Sequence, residues 1–291
     1  MAGVKNMIEF YRTRLIAFNQ MTGGGLPKGR MIEVFGDPSV GKTTLAFELI
    51  TSLQDYGHVM FLDFEHSLDE SYMYACGVNP KKLKIVEPRD METALNGAID
   101  FMRKKSPKPV GIVIDSIAEM TPKKELDEGM EKENVGLLPR KVNPFFRKIS
   151  YDLKQSKGVI ICVNQARDKI GGFGEKITST GGRGFRHKCA VRLYCTGGKS
   201  ERFPEGGCRL RIWQKKNKVA TNITDHCEYH IERGKGIDLD VELLTVAVEN
   251  GILKKKSGGN YQIGERTFRG WAAAVEALKD STAFKKFLET L

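Results

Sequence analysis

Short apolar runs alternate with amphipathic stretches through the first two-thirds of this 291-residue chain. Runs at 31–35, 58–63, 83–86, 110–115 and 158–163 have the length and near-continuous apolar character of buried strands. Between them, 42–54, 69–76, 91–104 and 137–156 carry apolar residues at helical spacing. This alternation predicts an α/β fold, a mostly parallel sheet flanked by helices. The texture changes after residue 190. Segments 191–195, 209–213 and 226–232 read as strands without intervening helices, so the sheet is expected to finish antiparallel. Gly234-Lys235-Gly236 breaks the pattern. Beyond it the chain reads as a small α+β unit, with a helix near 238–250, a basic hairpin at 254–263, and helices at 267–278 and 281–290. The expected domains are 1–14, a short N-terminal segment; 15–235, the α/β core; and 236–291, a small C-terminal domain.

Two stretches fit neither pattern. Residues 122–135 are polar and acidic, and 167–182 hold five glycines, Gly171, Gly172, Gly174, Gly181 and Gly182. Long loops in a compact domain are usually functional. Both follow the C-terminal ends of expected parallel strands, where open α/β sheets place their ligands.

The run Gly36-Asp37-Pro38-Ser39-Val40-Gly41-Lys42-Thr43 matches G-x-x-x-x-G-K-[ST] at every fixed position, with a strand pattern before it and a helix pattern from Thr44 onward. Successive N–H groups can converge there on a phosphate, with Lys42 on the β/γ oxygens and the Thr43 hydroxyl placed for Mg²⁺. The expectation is a nucleoside triphosphate. Three more strands end in polar groups. Asp115 closes an apolar strand and is the candidate second Mg²⁺ ligand. Glu65 follows Asp63 and is the candidate base for an attacking water, its alternative being a helix cap. Gln165 stands where a buried strand enters the glycine-rich loop, a place from which an amide can sense a γ-phosphate.

Charge sharpens this picture. The net charge is +11, and between Gln165 and Lys218 fourteen Lys/Arg face four Asp/Glu, so nearly the whole excess lies in one segment. That concentration favours a polyanion, nucleic acid foremost. No apolar run is long enough to cross a bilayer, and residues 1–14 lack the apolar core of a signal peptide. The six cysteines include no C-x-x-C pair and fit a reducing compartment. Residues 226, 228 and 230 share a strand face that Cys227 does not, which disfavours zinc.

Taken in order, these residues resemble the RecA recombinase family of bacteria and phages. Gly24-Gly25-Leu26-Pro27-Lys28-Gly29-Arg30 precedes the phosphate loop as in that family. Similar too are Asp63-Phe64-Glu65-His66-Ser67-Leu68-Asp69, Asp115-Ser116 with Thr121-Pro122, Asn164-Gln165-Ala166-Arg167-Asp168-Lys169-Ile170-Gly171 with Thr180-Gly181-Gly182, and Lys216-Asn217-Lys218. The likeness runs from about Leu15 to the C-terminus. It implies a RecA-type phosphate-loop ATPase core with two DNA-binding loops, 123–136 and 166–182. It implies ATP held by Gly36 through Thr44 with Asp69 and Tyr72, Tyr72 stacking on the adenine. Mg²⁺ would lie on Thr43 and Asp115. Glu65 would activate water, assisted by Lys42 and Gln165, and Lys216 and Lys218 would complete a neighbour's site. DNA would meet Arg140, Arg167, Lys169, Gly171, Gly172, Phe173, Lys176, Thr180, Gly181, Gly182 and Arg183.

The implied activity is ATP-dependent strand exchange by a helical filament on single-stranded DNA that pairs with duplex DNA. Single-strand-binding or mediator proteins would be partners, no membrane would be involved, and the setting would be the cytoplasm of a bacterial or phage-infected cell. The rivals are a ring-forming, DNA-stimulated motor or regulatory ATPase of the same fold, and a DNA-binding accessory protein. Three departures bear on assembly. The segment before Leu15 is short, with Met7, Ile8, Phe10, Tyr11 and Leu15 spaced as for a truncated docking helix; His187 replaces an interface aromatic; and the acidic C-terminal tail is missing.

Overall fold

The computed structural model describes residues 8–127, 137–168, 177–203, 205–220 and 224–290. Its main sheet has the strand order Gly236–Ile237, His226–Glu232, Gly207–Asn217, Val191–Lys199, Arg30–Gly36, Val159–Asp168, Pro109–Asp115, His58–Asp63, Leu83–Val86. Neighbours from Val191–Lys199 onward are parallel. The first three strands are antiparallel additions. The strand leading into the phosphate loop is therefore central and paired on both sides, which explains its nearly unbroken apolar character.

Alternation along the strands builds two cores. On one face Ile32, Val34, Phe61 and Ile161 pack against Leu45, Leu49 and Leu53 of the helix Lys42–Gln54. On the other, Met31, Leu62, Ile112 and Ile160 pack against Phe146, Ile149 and Leu153 of Leu137–Ser156 and against Phe185 of Gly182–Lys188. Glu33 points into this second face. Its carboxylate has no solvent exposure and accepts hydrogen bonds from Arg192 Nε at 2.5 Å and Asn164 Nδ2 at 3.0 Å.

Four expectations change. The N-terminal apolar stripe is not a helix among the described residues: Phe10–Tyr11 is a strand paired with Leu26–Pro27, and Tyr11 and Leu15 are buried in the chain's own core. Helix starts only at Ile16. The 122–135 stretch opens with a helical turn, Lys123–Asp127, before leaving the described residues. The glycine-rich stretch is not a loop from residue 166, because Val159–Asp168 stays extended through Asp168 and pairs with Ile177–Ser179, and helix resumes at Gly182. Near the C-terminus, residues 267–269 belong to a strand, Arg266–Arg269. Thr267 and Phe268 complete a three-stranded sheet with Asn260–Ile263 and Leu253–Lys255, and the helix begins at Trp271.

Residues after Asp238 bury their own cluster, including Leu244, Leu253, Val275, Leu278 and Phe284. A polar contact at the start of the first helix helps tie this unit to the core. The helix Ile16–Thr22 has no side-chain cap of its own, and Glu242 of Leu239–Glu249 supplies one, accepting the Ala17 N–H at 2.8 Å. Burial pushes the Glu242 carboxyl up to about 8. The folded chain thus keeps a proton that the unfolded chain releases in the ordinary Glu range. This contribution to stability is complete below that range and is lost as pH rises toward about 8. Glu242→Gln keeps an acceptor but cannot titrate. Melting curves at about pH 5 and about pH 8.5 should show the wild type losing stability relative to the variant at the higher pH. Parallel pH dependence in the two proteins would refute this assignment.

Candidate functional site

Between the strand Arg30–Gly36 and the helix at Lys42 the chain makes a tight loop, with Ser39 at φ 60° and Gly41 at φ 96°. A Cβ on Gly41 would also lie 2.5 Å from Ile231 Cδ1, and one on Gly36 would lie 2.2 Å from the Cys195 carbonyl oxygen. Both glycines of the motif are thus required sterically. Ser39 holds a left-handed conformation at a cost of about 1–3 kcal/mol, as ligand-binding loops tend to.

The helices starting at Glu70, Met91 and Leu239 are each capped by an Asp side chain. The helix at Lys42 follows Gly41 and has no side-chain cap. Its first N–H groups and the positive end of its dipole are therefore free to meet an anion. Lys42 points into the same cleft, its Nζ donating to the Asp37 carbonyl at 2.5 Å, and burial lowers its pKa.

Acidic groups face this cation. Thr43 Oγ1 donates to Asp115 Oδ2 at 3.0 Å, while Asp115 Oδ1 is buried without a partner. Burial, then the nearby Glu65 charge, raise the Asp115 carboxyl to about 7. A pair of oxygen donors with one unsatisfied atom fits a hard divalent cation. Asp63 lies level with Asp115 on the adjacent strand and has a structural task, its carboxylate accepting the N–H groups of Glu65 and Leu68, both at 3.1 Å. That turn leaves the exposed Glu65 side chain lining the cleft. Asp69, not Glu65, caps the helix Glu70–Ala75, accepting the Tyr72 N–H at 3.0 Å. The Tyr72 hydroxyl bonds Thr44 Oγ1 at 2.8 Å, joining that helix to the phosphate-loop helix, and burial raises its pKa to about 12.

Pro38, Ser39, Thr43, Thr44, Asp115 and Gln165 also border the cleft, whose volume is about 940 Å³. Gln165 lies within the strand, paired level with Gly36, and its Nε2 donates to Glu119 Oε1 at 2.8 Å. The far end of the cleft went unseen in the sequence. It is made by Glu205, Gly207, Cys208, Ile231, Arg233 and Gly234, from the antiparallel additions. No motif links these residues to the phosphate loop. The paired glycines at 206–207 and the Gly234 turn were the available signal.

Lys216 and Lys218 do not border this cleft. Lys216 pairs level with Arg192, which reaches Glu33, so its side chain leaves the sheet on the face opposite the phosphate-loop helix. There its Nζ donates to the carbonyls of Arg186 at 2.8 Å, His187 at 3.0 Å and Cys189, closing the C-terminal end of the helix Gly182–Lys188. His187 is exposed and accepts from Arg183 Nε at 3.3 Å.

The two expected DNA loops have adjacent bases. A Cβ on Gly182 would lie 3.2 Å from Pro139, and one on Gly184 would lie 2.4 Å from Asn143 Oδ1, so the helices after the two loops touch. Arg140 is exposed at the start of Leu137–Ser156, Arg167 is on the strand opposite Thr178, and Thr180 and Gly181 follow the returning strand. Lys169, Gly171, Gly172, Phe173 and Lys176 lie outside the described residues.

Comparison with known proteins agrees with this geometry. A family model for the RecA N-terminal domain matches residues 3–238. The chain is 37% identical over 270 residues to Protein RecA of Pseudomonas savastanoi pv. phaseolicola, covering 91% of this chain and 75% of that one. It is 36% identical over 284 residues to Protein RecA of Streptomyces ambofaciens, covering 95% and 75%. To Protein RecA of Staphylococcus aureus it is 36% identical over 277 residues, covering 93% and 78%. The chain belongs to the RecA family, and with it to the ATP-dependent recombinases that bind DNA, form filaments and hydrolyse ATP in response to DNA.

Proposed function

We propose that the cleft holds ATP with its phosphates on the uncapped helix start and its base against Tyr72, Asp69 and the turn at 233–234. The observation that carries this reading is the convergence of free helix N–H groups, Lys42, Thr43, Asp115 and Glu65 on one volume. Thr43 and Asp115 would hold Mg²⁺, which supplies charge neutralisation on the β and γ oxygens when bound. Glu65 accepts a proton from a water as its oxygen attacks the γ-phosphorus; the bond to the β-bridging oxygen breaks, and ADP and phosphate leave. Gln165 leaves Glu119 for the γ-phosphate when ATP is present, which pulls on the strand that continues to Arg167 and Asp168.

DNA is read as contacting the extension beyond that strand, including Lys169, Gly171, Gly172, Phe173 and Lys176, together with Arg140, Arg167, Thr180, Gly181, Gly182 and Arg183. Arg140 and Arg183 sit at the touching bases of the two loops, which supports one shared DNA surface. Residues 1–14, 15–235 and 236–291 act on this reading as docking segment, ATPase core and C-terminal domain. Single-strand-binding or mediator proteins serve the filament.

Lys42→Ala should abolish ATP hydrolysis and nucleotide-dependent DNA binding. Glu65→Gln should bind ATP but hydrolyse it far more slowly and persist on DNA. A phosphate-release assay and a nucleotide-binding assay separate the two, and wild-type turnover by Glu65→Gln would assign the base elsewhere.

Affinity for single-stranded DNA should fall linearly on a log–log salt plot, with a slope of about −0.7 per phosphate neutralised. Arg140→Ala and Arg183→Ala should each reduce that slope by about 0.7. Unchanged slopes would move the DNA surface away from these loop bases.

Lys216 lies on the face of the sheet away from the chain's own phosphate-loop helix, which supports action on a neighbour's ATP. A Lys216→Ala/Lys218→Ala variant and a Glu65→Ala variant should each be nearly inactive. Mixed equally on single-stranded DNA, they should regain activity through about one intact site in four, from the random choice of two protomers in a head-to-tail assembly. Activity that stays at the level of the single variants, with co-assembly confirmed, removes the trans model.

A further inference from the structure

The two ends of the cleft are built by distant parts of the chain, and the end away from the phosphate loop is a layered turn. The N–H groups of Gly206 and Gly207 donate to the Phe203 carbonyl at 3.4 and 3.0 Å, and the Arg233 N–H donates to the Gly206 carbonyl at 2.7 Å. Ser200 Oγ accepts the Phe203 N–H at 3.1 Å and bonds His230 Nδ1 at 2.9 Å. The cleft-lining residues Gly207 and Arg233 are thus set by how the chain around Arg202 and Phe203 is held.

Arg202 is held by the C-terminal unit. Its guanidinium lies 4.0 Å from the ring centroid of Trp271 and 5.6 Å from that of Phe203. Its Nε is buried with no hydrogen bond and stands 3.6 Å from Asp238 Oδ2. The other Asp238 oxygen is committed to capping the helix Leu239–Glu249, accepting from Asp240 and Val241 at 3.1 Å. Trp271 opens the helix Trp271–Asp280, which packs on that same helix, with Lys279 Nζ 3.3 Å from Asp240. A guanidinium on an indole face is the strongest common cation–π arrangement. Here it joins a cleft-forming turn to helices that take no part in the cleft.

We propose that the Arg202–Trp271 contact is a positioning device through which the C-terminal unit sets the base end of the nucleotide cleft. The inference rests on the reading that this cleft holds ATP. Arg202 and Trp271 touch no reacting atom. They act by holding Phe203 and the turn at 205–208 against the strand end at Ile231 and Arg233. Losing the contact weakens binding of the ground state and the transition state alike, which raises KM and leaves kcat in place.

The test compares Arg202→Ala and Trp271→Ala with Arg202→Lys and Trp271→Phe, which keep a cation and an aromatic face. In DNA-stimulated hydrolysis the alanine variants should raise the KM for ATP by about two- to thirtyfold with little change in kcat, and the conservative variants should restore most of it. The chain has two tryptophans, so Trp213→Phe leaves Trp271 as the sole indole. Its emission should change on titration with a slowly hydrolysed ATP analogue, and Arg202→Ala should remove that response. Alanine variants with a lower melting temperature but wild-type KM, or a silent Trp271, would overturn the proposal and leave the contact a structural staple. Lys42→Ala in the Trp213→Phe background separates the two readings. If it binds the analogue undiminished, the cleft is not the ATP site. If it loses binding while the Arg202 and Trp271 alanine variants bind as wild type, the present inference alone fails.

Discussion

A carboxylate without solvent contact sits in the central strand of the sheet. Glu33 is tolerable there because Arg192 and Asn164 supply charge and hydrogen bonds from the strands on either side. Arg192 also reaches Ser179 Oγ at 3.2 Å, and Asn164 Nδ2 reaches the Thr180 carbonyl at 2.9 Å. Three strands and the returning end of the glycine-rich stretch therefore share one buried polar cluster. Removing one partner from such a pair leaves a buried charge uncompensated, at a cost of about 3–5 kcal/mol. Apolar packing alone tolerates sliding and substitution. This cluster does not, since a shift by one residue would turn Glu33 toward the phosphate-loop helix. Asn164 Oδ1 accepts the Gln165 N–H at 3.0 Å, so the same cluster fixes where Gln165 enters the cleft.

The basic segment looks different once these partners are counted. Its concentrated charge favoured a polyanion partner. Arg192 is spent on Glu33, Arg202 faces Asp238 and Trp271, Arg211 pairs with Glu228 at 2.7 Å, and Lys216 closes a helix end. Several of the fourteen cations are thus internal fittings of the sheet extension. Arg183 of this segment is exposed, as is Arg140 outside it. Charge counting finds a segment rich in cations. It does not tell which cations face outward.

What could be read from the sequence follows the range of the interactions. The phosphate loop, the five parallel strands and their helices were readable because each is set by local pattern, period two or 3.6, with glycines where sterics demand them. The structure moves most of their ends by at most two residues. Errors arose where pairing with another strand, near or far along the chain, decided the outcome. Residues 267–269 carry an ordinary mixture of polar and apolar side chains and become a strand because Asn260–Ile263 offers an edge. Phe10 and Tyr11 have helical spacing but pair with Leu26–Pro27. The strand at 159 runs on to Asp168 because Ile177–Ser179 returns beside it. The base end of the cleft was hidden for the same reason, being assembled from antiparallel strands more than 160 residues beyond the phosphate loop.

The arrangement also bears on the proposal that two neighbouring chains share one ATP site. Among the described residues that line the cleft, Lys42 is the one lysine, with Arg233 the other cation at the far end. Three carboxylates, Asp63, Glu65 and Asp115, crowd the position where further negative charge must develop on the phosphate. On the trans reading proposed above, the offsetting charge comes from a neighbour's Lys216, whose side chain leaves the opposite face of the sheet and would give up the Arg186, His187 and Cys189 carbonyls to serve it. A surface that needs cations and a surface that offers them, on opposite sides of one chain, are complementary head to tail and not to themselves. Repetition of such a heterologous contact gives a ring or a helix, never a closed twofold dimer. On that reading filament growth and completion of the ATP site share one contact, and the helix Gly182–Lys188, whose C-terminal carbonyls Lys216 meets, begins where the expected second DNA loop ends.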